Sequence, residues 1–125
     1  MKRLLSITLV ILMLLASMLM AVSCKKEDDG VERTFTFTAV HADGTSKDFT
    51  ITSKRTTLAD ALVDEGLISG ENSQYGLYVT TVNGEYHKFE EDGKYWALYI
   101  NGEYAMTGVD STNIEDGATY SFKAE

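Results

Sequence analysis

Few side chains in this sequence stand where covalent chemistry would need them. Cys24 is the only cysteine, so no internal disulfide and no cysteine-based zinc cage can form. His41 and His87 are the only histidines, and no serine or thiol accompanies them in a nucleophile motif such as G-x-S-x-G. Both histidines therefore read as surface residues. The neighbouring acids Asp64-Glu65 and Glu90-Glu91-Asp92 come in runs, where solvation is the ordinary reason for them. Asp28-Asp29 lacks the alternating carboxylate spacing of a calcium loop. The glycines stand singly in turns and build no phosphate cradle. The expectation is a chain that is not an enzyme, requires no cofactor and holds no metal.

What the sequence does concentrate is aromatic surface. The stretch Tyr95 to Ile100, YWALYI, is apolar on both faces of a strand, with Tyr95, Ala97 and Tyr99 pointing one way and Trp96, Leu98 and Ile100 the other. A strand of this kind needs both of its sides covered. Either loops or the preceding tether supply the second cover, with tyrosines left half exposed, or the second face is a platform for a ligand or partner. On the platform reading Tyr95, Trp96 and Tyr99 stack against the bound molecule, and Tyr78 and Tyr104 flank them.

The chain that carries these residues is two compositions joined end to end. It has 125 residues, no proline and a formal net charge of -8, which bounds it to one domain with appendages. Residues 1 to 23 hold 17 of the 55 apolar side chains and none of the aromatic ones. Lys2 and Arg3 precede an apolar run from Leu4 to Val22, which is the pattern of an export signal. Ala21-Val22-Ser23-Cys24 resembles a bacterial lipobox, with Ala21 where the pattern usually has Leu. That resemblance implies a diacylglyceryl group on the Cys24 sulfur and cleavage before Cys24; two acyl chains are about what stable anchoring takes. An uncleaved membrane helix and plain secretion are the alternatives. The lipobox reading places the domain outside the cytoplasmic membrane, tethered to it, after a charged tether over residues 24 to 31. Beyond residue 23 there are 9 Lys and Arg against 19 Asp and Glu, a balance that argues against a nucleic-acid partner.

Residues 32 to 125 read as the domain. Alternation predicts strands over Glu32 to Val40 and Lys47 to Ser53, joined as a hairpin through the HADGTS turn. At Thr57 the period changes: Leu58, Ala61, Leu62 and Glu65 recur at helical spacing, Thr57 is an N-cap and Gly66 a stop, which gives a helix of about nine residues. Ser69 to Gln74 reads as a polar loop. Strands follow around Leu77 to Val82, Glu85 to Phe89, Tyr95 to Ile100, Glu103 to Thr107 and Ala118 to Lys123, with Asn83-Gly84, Asn101-Gly102 and Asp116-Gly117 as turns and EEDGK as an acidic loop. The order gives an α+β domain, a β-grasp-like mixed sheet with one helix packed on one face.

Thr57 to Gly66, Tyr78 to Gly84, Lys94-Tyr95-Trp96, Asn101-Gly102, Gly108-Val109-Asp110 and Asp116-Gly117 together resemble the DUF4430 domain, which is similar to the C-terminal β-domain of transcobalamin and intrinsic factor. The resemblance spans Phe35 to Lys123. It implies a module that closes over one side of a corrinoid, with Tyr95, Trp96, Tyr99 and the loop from Glu103 to Val109, Met106 included, in the ligand-facing region. The vertebrate carriers supply the other half of the site from a large helical domain that this sequence lacks. One small face cannot enclose so large a ligand. The reading is therefore a membrane-anchored extracytoplasmic module for a corrinoid or another small ligand, held weakly or together with a surface or transporter protein. The alternative is a protein-interaction or adhesion module with no small-molecule ligand.

Overall fold

A computed structural model describes residues 28–125; the expected export signal, Cys24 and the first residues of the tether lie outside that range. The first strand, β1, spans Asp28–Val40 and starts before the alternation that marks it in sequence. Phe35, Phe37 and Ala39 are buried on one face, while Thr34, Thr36 and Thr38 occupy the other. A turn through His41–Thr45 returns the chain as β2 (Ser46–Arg55), which sets Phe49 opposite Phe37 and Ile51 opposite Phe35. The outer threonines join across this pair, Thr34 to Thr52 at 2.9 Å, and the Thr38 hydroxyl donates to Asp48 at 2.7 Å.

Helix α1 covers Leu58–Asp64. Its N-cap is Thr57, in extended backbone, whose Oγ1 accepts the Asp60 N–H at 3.3 Å. Leu58, Ala59, Ala61 and Leu62 are buried, so the helical spacing seen in sequence is the spacing that faces the sheet. Gly66 takes φ of 69° beyond the last turn, and Leu67 folds back to donate its N–H to the Leu62 carbonyl at 3.0 Å. After β6 (Trp96–Ile100) and β7 (Glu103–Tyr104), the closing strand β8 (Thr119–Ala124) lies parallel to β1 and antiparallel to β6. The large sheet has the order β2-β1-β8-β6-β7, mixed and covered on one face by α1. Phe35 meets Tyr120 edge-on at 5.5 Å, and Phe37 stacks on Phe49 and meets Phe122 edge-on, each at 6.2 Å.

Several local expectations give way, and the strand expected over Glu103 to Thr107 stops at Tyr104. Ser69 to Gln74 is not a free loop: β3 (Ile68–Ser73) pairs antiparallel with β4 (Gly76–Val82), which in turn pairs with β5 (Glu85–Tyr86), forming a second, three-stranded sheet. Only Ile68 of β3 is buried, so the strand owes its existence to hydrogen bonding with β4 and leaves no alternation to read. The expected strand Glu85 to Phe89 stops at Tyr86. The acidic loop begins as a helical turn, α2 (Phe89–Asp92), closed by Gly93 in the left-handed conformation.

Candidate functional site

The register of the large sheet sorts the YWALYI strand. Trp96, Leu98 and Ile100 lie opposite Ala124, Phe122 and Tyr120 of β8, on the side that packs against α1. Tyr95, Ala97 and Tyr99 are thereby turned to the face that no helix covers, alongside Thr36, Thr38, Ser121 and Lys123 of the neighbouring strands. Asn101, at φ of 50°, and Gly102, at 84°, form the tight hairpin that brings Tyr104 across from Tyr99, where the two rings meet edge-on at 5.8 Å. Glu125 anchors the group from below: its carboxylate accepts the Tyr99 hydroxyl at 2.7 Å and the Tyr95 hydroxyl at 3.5 Å. The Tyr104 hydroxyl and the Glu125 charge disfavour a phenolate beside them and push Tyr95 up to about 12. Glu125 raises Tyr99 as well, so the Tyr95 and Tyr99 phenols stay neutral hydrogen-bond donors to that carboxylate throughout the physiological range. Tyr104 is 53% exposed and Met106, in the loop that follows, 92%.

Beside this face a cleft of about 240 Å³ opens between β4 and β6. Tyr78, Tyr95 and Tyr104 line it together with Leu77, Val79 and Val109. Tyr99 and Met106 stand outside it, on the adjoining surface. Trp96 departs from its expected role. Its ring is only 6% exposed and its indole N–H donates to the Thr80 carbonyl at 3.1 Å, so it forms the floor of the cleft and joins the two sheets, and cannot stack on a ligand. Tyr95 and Tyr99 are half-buried, with their hydroxyls engaged as described. Tyr78 uses its hydroxyl oxygen to accept the Phe89 N–H at 3.3 Å, which holds α2 against β4.

Two groups that sequence reasoning passed over shape the site. Asp110, in the 3-10 turn Val109–Ser111, accepts the Leu77 N–H at 3.0 Å and pins the start of β4 to the wall of the cleft. The two histidines are not free surface residues. Glu85 stands between them, with Oε2 2.8 Å from His87 Nε2 and Oε1 3.4 Å from His41 Nδ1, and Asp92 Oδ2 lies 2.6 Å from His87 Nδ1. Both imidazoles flank Trp96, with ring centroids at 5.4 Å for His87 and 6.5 Å for His41. The cluster ties the β1–β2 turn, β5 and α2 to the floor of the cleft. In the strand expected over Glu85 to Phe89, Glu85 and His87 fall two apart on one face, the one signal in the sequence that points to the cluster. Among the described residues no group of three or more His, Cys, Asp and Glu side chains is arranged to hold a metal ion.

Asp92, and then Glu85, hold His87 above its ordinary pKa, and His87 in turn holds the Asp92 carboxyl below its own. The folded state binds the His87 proton more tightly than the unfolded chain. That contribution is complete below about pH 6.5 and is lost as pH rises through the raised value. The carboxylate contributions are complete above about pH 4 and are lost as pH falls through the lowered values. The melting temperature should therefore be highest between those limits and decline on the alkaline side. His87→Gln should flatten that alkaline decline in thermal melts recorded from pH 4 to 9.

Comparison with known proteins fits this geometry. The domain of unknown function DUF4430 matches residues 56–125, more than half of the chain and all of the cleft. The chain belongs to the DUF4430 family. Among solved structures, this DUF4430 chain is similar to a protein from Ruminococcus gnavus ATCC 29149 that has been suggested to bind metal, at 29% identity and a TM-score of 0.71, over 74% of this chain and 96% of that one. It also shares its fold with haptocorrin, solved in complex with Cbi, at 14% identity and a TM-score of 0.66. That match covers 82% of the DUF4430 chain and 27% of haptocorrin, so the chain spans about a quarter of that protein's length. No curated protein matches the DUF4430 chain.

Proposed function

We propose that this chain is a non-enzymatic, membrane-anchored extracytoplasmic module that binds a small ligand against the tyrosine end of its uncovered sheet face. The observation that carries the reading is the grouping of Tyr95, Tyr99 and Tyr104 on that face, beside an apolar cleft and the exposed Met106. The tyrosine rings offer flat apolar surface to an amphipathic ligand. A cleft of about 240 Å³ is smaller than the range usual for drug-sized ligands, so a large molecule would lie over it and not inside it. A corrinoid is the first candidate, supported by the fold shared with haptocorrin. Its other side would be met by a partner protein, such as a transporter.

Metal binding, suggested for the Ruminococcus gnavus relative, finds no fitting set among the described residues here, because His41 and His87 are spent on Glu85. Lipidation at Cys24 would hold the module to the membrane. Asp28 opens β1 and His41 follows its last residue, Val40, so a tether entering at Asp28 would leave the His41 end, beside Trp96, pointing away from the lipid. A second reading, a protein-interaction or adhesion module of the cell surface, is favoured by the acidic domain surface and by exposed Tyr75, Tyr86 and Phe89.

The test is titration with cyanocobalamin and cobinamide, read by quenching of Trp96, the sole tryptophan, and by thermal shift. Saturable quenching is expected. Tyr99→Ala and Tyr104→Ala should each weaken binding about tenfold, the equivalent of 1.4 kcal/mol, while the proteins stay folded. Absence of saturation at millimolar ligand with intact protein counts against the small-ligand reading and leaves the interaction module.

A further inference from the structure

The uncovered face of the large sheet carries an ordered pattern beyond its tyrosines. Strand pairing lines up Asp48, Thr38, Ser121, Tyr99 and Tyr104 in one row that crosses all five strands. A second row, Thr50, Thr36 and Thr119, runs beside it. At an inter-strand spacing of about 4.8 Å the first row is roughly 19 Å long, with rings at one end and hydroxyls along most of the rest. Every side chain in both rows is exposed or half-buried. Among the described residues, the hydroxyls of Thr36, Thr50, Thr119 and Ser121 have no hydrogen-bond partner, yet none of them is buried away from water. The Thr38 hydroxyl donates to Asp48 and can still accept. Residues 28–125 carry 7 Lys and Arg against 18 Asp and Glu, but Asp48 is the single charge in the two rows, at their outer end. Beside the tyrosines, Lys123 and Glu125 approach to 3.9 Å and offset one another.

We propose that this face binds a linear, uncharged glycan laid across the strands, with one sugar ring against Tyr99 and Tyr104 and the following rings over the two hydroxyl rows. A pyranose has the matching build. Its flat side presents C–H bonds to an aromatic ring, and its rim carries hydroxyls that donate and accept as those of threonine and serine do. Charge narrows the class. The net acidity of the domain repels anionic glycans and nucleic acid, while the rows offer a charged protein partner no series of ion pairs along their length. Each sugar hydroxyl replaces a water on a protein hydroxyl, so a single contact contributes little and several sugars in line are needed. The inference goes beyond the small-ligand reading: it shares Tyr99 and Tyr104 with that site and adds hydroxyls of β1 and β8 that a ligand at the tyrosine end does not need.

Titration of the full chain in a sugar-free detergent with cellohexaose, xylohexaose and mannohexaose tests it, followed through backbone amide shifts in nuclear magnetic resonance spectra. At least one hexaose should saturate with a Kd of ~1 mM and move the amides of Thr36, Thr38, Ser121 and Tyr99 together. Thr36→Val combined with Thr38→Val keeps the branched shape of both side chains and removes both hydroxyls. It should weaken hexaose binding about fivefold or more, with the melting temperature and the cyanocobalamin titration unchanged. The hexamer of galacturonic acid, equal in length but anionic, should bind more weakly than the neutral sugar. No saturation by any of the three neutral hexaoses at ~10 mM, undiminished binding by the folded double-valine variant, or equal binding of the anionic hexamer would each overturn the proposal. Hexaose binding without corrinoid binding would support it and remove only the corrinoid from the tyrosine end.

Discussion

Trp96→Ala should lower the unfolding free energy by about 3–5 kcal/mol, the range for deleting a buried aromatic side chain. The ring is 6% exposed, sits under the cleft and packs beside His87 and His41. The cost is chiefly the cavity. The Thr80 carbonyl that accepts the indole N–H at 3.1 Å also accepts the His87 N–H at 2.8 Å, so it keeps a partner in the variant. Trp96→Phe, which retains most of the volume and loses one hydrogen bond, should cost about 1 kcal/mol more than nothing but far less than alanine. Tyr99→Ala removes a half-buried ring and its edge contact with Tyr104 and should cost about 1 kcal/mol. Urea denaturation measures all three. A Trp96→Ala protein within about 1 kcal/mol of the parent would mean that the ring is not the floor described here, and would return it to the ligand platform. The same ordering decides which variants can report on binding: loss of ligand in Tyr99→Ala speaks about the site, whereas loss in Trp96→Ala would speak about folding.

The faces of the central strand were legible in sequence because side-chain alternation in a strand is a rigid consequence of backbone geometry. Tyr95 and Tyr99 on one side and Trp96 and Leu98 on the other needed no further information. The helix was legible for the same kind of reason, through Thr57, the Leu58-Ala61-Leu62 stripe and Gly66. Which side of the strand a protein covers, however, depends on contacts distant in sequence. Trp96 was read as part of an open platform because the sequence, although it marks β4 as a strand, does not place it beside Trp96, where its Thr80 carbonyl takes the indole. Strand β3 was illegible because Ser69 to Ser73 are exposed and carry no pattern; pairing with β4 makes them a strand. The histidine pair was misread as surface because its partners, Glu85 for both and Asp92 for His87, meet only when the β1–β2 turn, β5 and α2 converge.

Gly76→Ala should destabilise the domain by about 2–4 kcal/mol, the sum of backbone strain and a lost part-buried hydrogen bond. Gly76 opens β4 after the tight turn from Ser73, with φ of 105°, a value that only glycine adopts without strain. A methyl group there would also run into the Asp110 carboxylate. That carboxylate is the acceptor for the Leu77 N–H at 3.0 Å, so displacing it releases the start of β4 from the Val109 turn. Leu77 and Val109 are both walls of the cleft, and the same substitution should therefore abolish ligand-dependent thermal shifts as well as lower the melting temperature. The two contributions separate in a double-mutant cycle. Asp110→Ala alone loses the hydrogen bond, and Gly76→Ala with Asp110→Ala keeps the strained φ but removes the collision. The double variant should be more stable than the two single losses added together, by about 1 kcal/mol or more, because the bond can be lost only once and the clash disappears. Simple additivity would show that Asp110 and the turn at Gly76 are not coupled, and that the wall of the cleft is held by something other than this contact.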